Sequence, residues 1–297
     1  MKKKILVVGG SGFLGFNLLK RLSKLSEFEV YSLIRSQITF NNTIKKVKYI
    51  HSDIIKLNNL KKKVKKKEFH YVINLSGNID HKKNSETFKV HFNGVKNLLK
   101  TLNIKKLRLF IQIGSCLEYG KQPSPQKESH FCNPISYYGK AKYKASSFLS
   151  KKLENYLILR PYQIYGPYQK NNRLIPWVIN SCLKNKKFPC TNGSQKRDFL
   201  YIDDFTNLII KILKKNNFKN KIYNVGSGRP IKVKKIIDLI LKLTQKGKPL
   251  FGSIKMRKDE LGKLYPNISS VTKDFNWKPK IKLELGLKKT ISFYAKK

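Results

Sequence analysis

Three side chains of this chain have types and spacing that could move a proton together. Tyr138 and Lys142 are four residues apart, and Ser115 lies upstream of both. On a helix, residues i and i+4 share one face, so the phenol and the ammonium would point the same way. A neighbouring lysine cation favours the phenolate form of a tyrosine. The set therefore predicts a tyrosine that exchanges a proton with a hydroxyl or carbonyl oxygen, with the Ser115 hydroxyl bonded to that same oxygen.

A glycine-rich segment near the N-terminus has the spacing of a dinucleotide-binding loop. Gly9, Gly12 and Gly15 stand between an apolar run and a segment with helical periodicity. Glycines at this spacing permit a tight turn, a close approach of the backbone to a pyrophosphate and close packing of helix on strand. A Tyr-x-x-x-Lys spacing alone is expected by chance in a lysine-rich chain. Together with this loop and Ser115, it predicts a nicotinamide dinucleotide beside a proton-transfer group.

The residues that follow the predicted second and third strands indicate which dinucleotide binds. An acid after the second strand selects NAD, and a base accommodates the 2′-phosphate of NADP. The chain has Arg35 there, so we predict NADP, with NAD as the alternative; Arg35 could also be merely exposed. Asp53 is placed to bind the adenine amino group, or else to cap a helix that begins near Ile54. The predicted cofactor contacts are Gly9, Ser11, Gly12, Phe13, Leu14, Gly15, Arg35, Asp53, Ile54, Leu75 and Lys142.

The elements that must position these residues alternate between apolar runs and helical segments. Such repeated βα units predict an α/β fold with a doubly wound parallel sheet of the Rossmann type and a smaller C-terminal substrate-binding domain. We place the cofactor-binding domain at 1–166, with 198–226 partly returning to it, and the substrate-binding domain mainly at 167–297. The predicted strands are 5–8, 30–34, 47–51, 71–75, 107–113 and 157–160, with 199–202 and 222–225 returning to the main sheet. The predicted helices include 56–67, 84–103 and 137–152.

The formal net charge of +47 comes mostly from lysine, since eight of the 64 basic residues are arginine. Nucleic-acid-binding proteins concentrate their basic residues in a patch and exploit the bidentate arginine fork. Here the lysines are scattered, so we predict solvated helix faces and no specific nucleic-acid site. The charge would still attract polyanionic small substrates. A non-catalytic cofactor-sensing or RNA-binding protein stays open as an alternative of a different class.

Cysteine spacing and hydropathy set two further limits. The four cysteines show no Cys-x-x-Cys pair and no zinc spacing, which predicts a reduced, cytoplasmic protein with no metal site. No apolar stretch reaches the roughly 20 residues needed to span a bilayer, so we predict no membrane insertion.

Six segments of the chain together resemble the extended short-chain dehydrogenase/reductases of the NAD-dependent epimerase/dehydratase family, which act on nucleotide sugars. The resemblance implies that Ser115, Tyr138 and Lys142 are catalytic and that the helices at 84–103 and 137–152 form a homodimer. The six segments are 9–15, 114–120, 138–142, 160–167, 197–204 and 223–228.

The same resemblance implies which residues meet a nucleotide-diphosphate sugar. Arg197 and Arg257 would bind the diphosphate, a role suited to the planar guanidinium fork, although either could instead form a surface salt bridge. The remaining substrate contacts implied by the resemblance are Cys116, Gln163 and Arg173.

Departures from the family pattern narrow the expected reaction. The family's 4,6-dehydratases carry Asp-Glu directly after the catalytic Ser or Thr, and this chain has Cys116 and Leu117 there, which disfavours dehydration. Gln163 replaces a common substrate-binding Asn, and His91 stands where the family often has Asn. The C-terminal segments 172–176, 190–193, 251–260 and 276–279 resemble the 4-keto-6-deoxyhexose reductases related to CDP-abequose synthase. We therefore predict reduction of a nucleotide-linked 4-keto-6-deoxyhexose at C4, with a nucleotide-hexose 4-epimerase holding NAD tightly as the alternative.

Overall fold

The computed structural model describes residues 2–35, 43–77, 84–215, 221–256 and 260–296. The strands among them are β1 (Lys3–Val8), β2 (Phe28–Ile34), β3 (Val47–His51), β4 (Tyr71–Asn74), β5 (Leu109–Ile113), β6 (Tyr156–Pro161), β7 (Gln163–Tyr165), β8 (Lys187–Cys190), β9 (Lys196–Tyr201), β10 (Lys221–Val225), β11 (Pro230–Lys232), β12 (Lys248–Phe251) and β13 (Lys263–Leu264). The α-helices are α1 (Phe13–Leu22), α2 (Leu57–Val64), α3 (Asn84–Phe88), α4 (Gly94–Thr101), α5 (Tyr137–Lys152), α6 (Leu174–Leu183), α7 (Ile202–Lys214), α8 (Val233–Thr244), α9 (Ser269–Phe275) and α10 (Leu283–Ala295).

The chain divides into two compact units. The first comprises Met1–Gln122, Ser129–Pro161 and Leu208–Tyr223. The second comprises Pro123–Glu128, Tyr162–Asn207 and Asn224–Lys297.

The first unit is built on a seven-stranded sheet with the strand order β3-β2-β1-β4-β5-β6-β10 in the described residues. Neighbouring strands from β3 through β6 are all parallel. The strand order reverses between β1 and β4, and in such sheets ligands bind beyond the carboxyl ends of the strands at this switch point. The predicted Rossmann-type fold is confirmed.

The central strands are mostly apolar and are buried over most of their length, because helices cover both faces of a doubly wound sheet. Ile5 to Val8 of β1 and Leu109 to Ile113 of β5 are all buried. One face packs against α2, α4 and α5, which contribute Leu60, Leu98 and Leu149 to a continuous core. The carboxyl ends of the strands are thereby held on a rigid support.

Element bounds follow the sequence prediction closely where one pattern dominates. Strand β3 and helix α5 have the predicted bounds, 47–51 and 137–152. The helix predicted at 84–103 is instead interrupted by a π-helical turn at Lys89–Asn93, between α3 and α4. Such turns often occur at functional sites in helices.

The second unit has two smaller sheets and a layer of helices. Strand β9 pairs with β7, β11 and β13, and β8 pairs with β12. Helices α6, α8 and α10 pack together. Helix α8 buries Val233, Ile236, Ile237 and Ile240, which share one face at helical spacing.

Two segments predicted to return to the main sheet behave differently. The prediction for 222–225 is confirmed, because β10 pairs beside β6. The prediction for 199–202 is wrong, because β9 belongs to a sheet of the second unit. The Asp198 carboxylate accepts the N–H groups of Ser227 (2.6 Å) and Arg229 (3.1 Å), which stabilises the turn that leads into β11. β11 then pairs with β9. An apolar run in the sequence predicts a strand, but it does not indicate which strand will pair with it.

No helix in the described part of the chain is both long enough and apolar enough to cross a membrane. All four cysteines lie in this part, and they form no disulfide.

Candidate active site

The loop between β1 and α1 needs glycine at two positions for steric reasons. Gly9 has φ +83°, and a Cβ there would lie 2.9 Å from the backbone nitrogen of Ser76 after β4. A Cβ on Gly15 would lie 2.3 Å from the carbonyl oxygen of Gly9. The loops after β1 and β4 therefore meet at the switch point of the sheet.

Helix α1 presents its N-terminus at this loop. Gly12 is the N-cap residue, no side chain caps the helix there, and the first turn contains no acidic residue. The first N–H groups of a helix have no acceptor within the helix, and the helix dipole adds partial positive charge. The N-terminus of α1, at Phe13 and Leu14 and next to Ser11, is thus chemically suited to a pyrophosphate.

The other predicted cofactor residues follow β2, β3 and β4 at the same edge of the sheet. Arg35 is exposed directly after β2, and Leu75 is half-buried after β4. Asp53 does not cap a helix, because its Oδ1 accepts the N–H of Ile55 (3.1 Å) and α2 begins later, after the N-cap residue Lys56. The Ile54 side chain packs in the core, which leaves only its backbone for a ligand.

Ser115 is nearly buried and directly follows Gly114 at the end of β5. Its Oγ accepts the N–H of Leu117 at 3.2 Å. A hydroxyl that accepts a hydrogen bond still has its own proton to donate. Ser115 is therefore suited to donate to a substrate oxygen.

The first turn of α5 lies against the turn that follows Ser115. Ser136 caps the helix through a hydrogen bond from the N–H of Gly139 to its Oγ (3.0 Å). A Cβ on Gly139 would lie 2.5 Å from the carbonyl oxygen of Leu117. The glycine after Tyr138 thus allows the backbone of α5 to approach the Ser115 turn closely.

Lys142 is buried on the same helix face as Tyr138. Its Nζ donates to the carbonyl oxygen of Ile113 at 2.7 Å and lies 5.8 Å from the centroid of the Tyr138 ring. Burial lowers the pKa of Lys142 from 10.5 to about 8, and the negative charge of Glu118 opposes that shift. The carbonyl oxygen at the end of β5, two residues before Ser115, thereby holds the Lys142 amine next to the phenol ring.

His91 packs against the candidate acid. Its buried ring lies in the π-helical turn, edge-to-face with the Tyr138 ring at a centroid distance of 5.0 Å. A Cβ on Gly77 would lie 2.5 Å from Cε1 of His91, so the ring fills the space beside that glycine. His91 therefore limits the positions open to the phenol ring.

The predicted substrate residues divide between the two units. Cys116 is buried in the first unit, directly after Ser115. In the second unit, Gln163 begins β7 and half-buried Arg173 is the N-cap residue of α6. Arg257 lies outside the described residues.

Arg197 of the second unit is almost completely buried. Its Nη2 donates to the Glu260 carboxylate, and its Nη1 donates to the carbonyl oxygen of Lys196 at 2.8 Å. A surface ion pair was the open alternative for this arginine. The pair observed joins a buried guanidinium to a partly exposed carboxylate.

Sequence reasoning assigned no role to a buried ion pair next to Ser115. Glu118 and Arg160 are both nearly inaccessible to solvent, and Arg160 Nη2 lies 2.9 Å from Glu118 Oε2. The sequence does contain a signal for this pair. Glu118 and Arg160 each lie in an otherwise apolar segment, and a buried charge requires a partner.

The family model described as the NAD dependent epimerase/dehydratase family matches residues 5–226. CDP-abequose synthase of Salmonella muenchen is 28% identical over 306 residues, covering 98% of this chain and 98% of that protein. A putative UDP-glucose 4-epimerase of Methanocaldococcus jannaschii is 28% identical over 311 residues, covering 97% of each. The crystal structure of UDP-glucose 4-epimerase with UDP-glucose from Thermotoga maritima has a TM-score of 0.91 at 24% identity and covers 99% of both chains. That structural likeness shows a shared fold.

Proposed function

Because the chain belongs to the NAD dependent epimerase/dehydratase family, we propose that it reduces the C4 carbonyl of a nucleotide-linked 4-keto-6-deoxyhexose. The observation that carries this proposal is the grouping of Lys142, the Tyr138 ring and Ser115 at the end of β5. The similarity to CDP-abequose synthase over 98% of the chain adds support. Cys116 and Leu117, where dehydratases carry an acidic pair, argue against dehydration.

The chain's own side chains have distinct tasks in this reaction. Tyr138 gives its proton to the C4 oxygen, and the Ser115 hydroxyl donates a hydrogen bond to that oxygen. The Lys142 ammonium stabilises the phenolate that Tyr138 leaves behind. A bound nicotinamide dinucleotide supplies the hydride that C4 receives. Hydride and proton together convert the carbonyl to a secondary alcohol.

The loop between β1 and α1 fits the pyrophosphate of such a cofactor. The backbone at Gly9 and Gly15, which no side chain shields, and the N-terminus of α1 would hold the phosphates. Arg35 would meet the 2′-phosphate of NADP, and Asp53 would meet the adenine. Lys142 would also hold the nicotinamide ribose. NAD is the alternative cofactor, as the family description indicates.

Replacing Arg35 with Asp should reverse the cofactor preference from NADPH towards NADH. An acid at this position accepts a hydrogen bond from a ribose 2′-hydroxyl but repels a 2′-phosphate. The measurement is kcat/KM with NADPH divided by kcat/KM with NADH. We expect this ratio to fall at least about tenfold, which corresponds to about 1.4 kcal/mol. Lys24→Asp makes the same charge change at another exposed position and should leave the ratio unaltered. An equal loss for both cofactors would argue against this role for Arg35.

The proposed activity is tested with a panel of nucleotide-linked 4-keto-6-deoxyhexoses and NADPH. We expect stoichiometric loss of absorbance at 340 nm with at least one member of the panel. Mass spectrometry of any small molecule that copurifies with the protein would indicate where to begin. A panel on which no member oxidises NADPH or NADH would overturn the reductase proposal.

A 4-epimerase is the second candidate, favoured by the similarity to a putative UDP-glucose 4-epimerase. In that reaction the same Tyr138 removes and later returns a proton, and hydride moves out and back. An epimerase would purify with NAD bound and would interconvert two nucleotide hexoses with no net absorbance change at 340 nm. Adding nucleotide hexoses to the panel and measuring the NAD that copurifies with the protein therefore separate the two candidates.

For substrate binding, we propose that Arg197 holds the diphosphate. Its planar guanidinium, now paired with the Glu260 carboxylate, would instead donate to phosphate oxygens, because its fork of donors suits either anion. The other proposed substrate-binding residues rest on the family resemblance alone; they are Gln163, Arg173, Cys116 and Arg257.

We also propose a homodimer that forms through α3, α4 and α5. Three partly exposed aromatic rings lie on these helices and the π-helical turn, with Lys144 over two of them. Apolar surface of this kind is typical of an interface, and the molar mass in solution tests the proposal. The rings are Phe88, Phe92 and Phe148.

A further inference from the structure

The Glu118 carboxylate is buried beside the candidate active site and is surrounded by donors. Its Oε1 accepts the N–H of Ser115 (2.8 Å) and the hydroxyl of Ser146 (3.3 Å). Its Oε2 accepts from Nε (3.0 Å) and Nη2 (2.9 Å) of Arg160. A buried carboxylate is costly unless its charge is paired and its lone pairs are satisfied, and both conditions are met here. Both oxygens of the Glu118 carboxylate are therefore occupied by donors.

The donors to Glu118 connect it to the helix that carries the candidate acid. Tyr138, Lys142 and Ser146 are spaced four residues apart on α5 and share one face. Ser146 touches the Glu118 carboxylate, and Lys142 lies one turn earlier on the same face. The negative charge of Glu118 raises the pKa of Lys142, against the larger lowering by burial. Without that carboxylate, Lys142 would lose its proton at a still lower pH.

The other groups around this pair do not replace the Glu118 charge. Lys142 meets a neutral carbonyl oxygen of β5 and the Tyr138 phenol ring, and His91 touches that ring from the π-helical turn. Each of these groups is neutral or potentially cationic, apart from the phenolate formed during the reaction.

On the far side of Glu118, the Arg160 guanidinium lies 4.5 Å from the centroid of the Tyr119 ring. The Cys132 thiol also faces Arg160, and burial raises the pKa of that thiol, which favours its neutral form. The ionised partner of Arg160 in this cluster is thus Glu118.

Resting on the function proposed above, we propose that Glu118 is a positioning residue. Its Arg160-paired carboxylate keeps Lys142 in the ammonium form, in which Lys142 stabilises the Tyr138 phenolate. The pair would thereby extend the alkaline range of the reaction.

The charge state of Lys142 can be followed without any turnover. Below a pH of about 8, both the folded and the unfolded chain hold the Lys142 proton. Between about 8 and 10.5, the unfolded chain holds it more tightly, so folding stability rises with pH relative to a variant that lacks the amine. The difference in unfolding free energy between wild type and Lys142→Met, measured by urea denaturation against pH, therefore reports this titration.

Glu118→Gln is the decisive variant, because it removes the charge and keeps an oxygen acceptor for Ser115. We then compare the unfolding free energies of Glu118→Gln and Glu118→Gln/Lys142→Met. Their difference should begin to rise at a pH about one unit lower than the difference between wild type and Lys142→Met. The alkaline limb of kcat/KM for the nucleotide sugar should move in the same direction. Should Glu118→Gln fail to fold with Arg160 unpaired, the double variant Glu118→Gln/Arg160→Met serves, and we expect a shift of the same sign.

Ser146→Ala is the matched control, since it removes a hydrogen bond to the same carboxylate but no charge. We expect the pH range over which Lys142 titrates in this variant, its titration window, to be the same as in the wild type. An unmoved window in the Glu118→Gln background, or in the double variant, would overturn the proposal, as would an equal shift in Ser146→Ala. Because this readout needs no substrate, a failure here is distinguishable from a failure of the proposed reductase activity.

Discussion

Tyr138→Phe should lower turnover of the nucleotide sugar by about 10²–10⁴-fold, the usual contribution of a general acid. The ring would keep its edge-to-face packing on His91 and its place near Lys142, so only the exchangeable proton is lost. Cofactor binding should therefore change little. The assays are kcat from absorbance at 340 nm and cofactor affinity from fluorescence titration.

The neighbouring residue provides a matched control for this prediction. Tyr137 is 61% exposed, and four residues later the chain has Ala141 and no lysine. Tyr137→Phe makes the same chemical change one residue away and should leave kcat unaltered. If both variants turn over at the wild-type rate, Tyr138 is not the acid.

Arg160→Met should lower the free energy of unfolding by about 3–5 kcal/mol. The substitution keeps an unbranched, flexible stem but removes the guanidinium, which leaves the Glu118 carboxylate buried without its counter-ion. An uncompensated buried charge is far more costly than a lost surface pair. Denaturation in urea at neutral pH measures the change.

An exposed ion pair on α10 sets the scale for that result. Lys288 and Glu284 are four residues apart, with side chains more than half exposed. Lys288→Met should cost less than about 1 kcal/mol, as is usual for surface pairs. The double variant Arg160→Met/Glu118→Gln should recover most of the lost stability, because neither partner is then charged. A cost for Arg160→Met no greater than that for Lys288→Met would show that the buried pair is not needed for stability.

The sequence predicted those parts of the site that depend on neighbours along the chain. The shared face of Tyr138 and Lys142 follows from helix periodicity, and α5 has the predicted bounds. The turn at Gly9 follows from glycine spacing between a strand and a helix. The family prediction drawn from six motifs is confirmed by the match over residues 5–226.

Prediction was weaker where one residue type suits two different roles. Asp53 was compatible with a helix cap or an adenine contact, and the structure shows a local turn with Ile55 in place of the cap. The helix at 84–103 matched one periodic pattern, but periodicity does not detect a single inserted π-turn around His91.

The sequence alone determined the order of the βα units, the glycine loop between β1 and α1, and the helix face that carries Tyr138 and Lys142. These depend on backbone geometry over a few residues, which side-chain type and spacing specify directly. Only the tertiary structure decided that Arg160 pairs with Glu118, 42 positions apart, and that β9 leaves the main sheet. Such partners are chosen by which polar groups are buried together and must satisfy one another, and that depends on the whole packed unit.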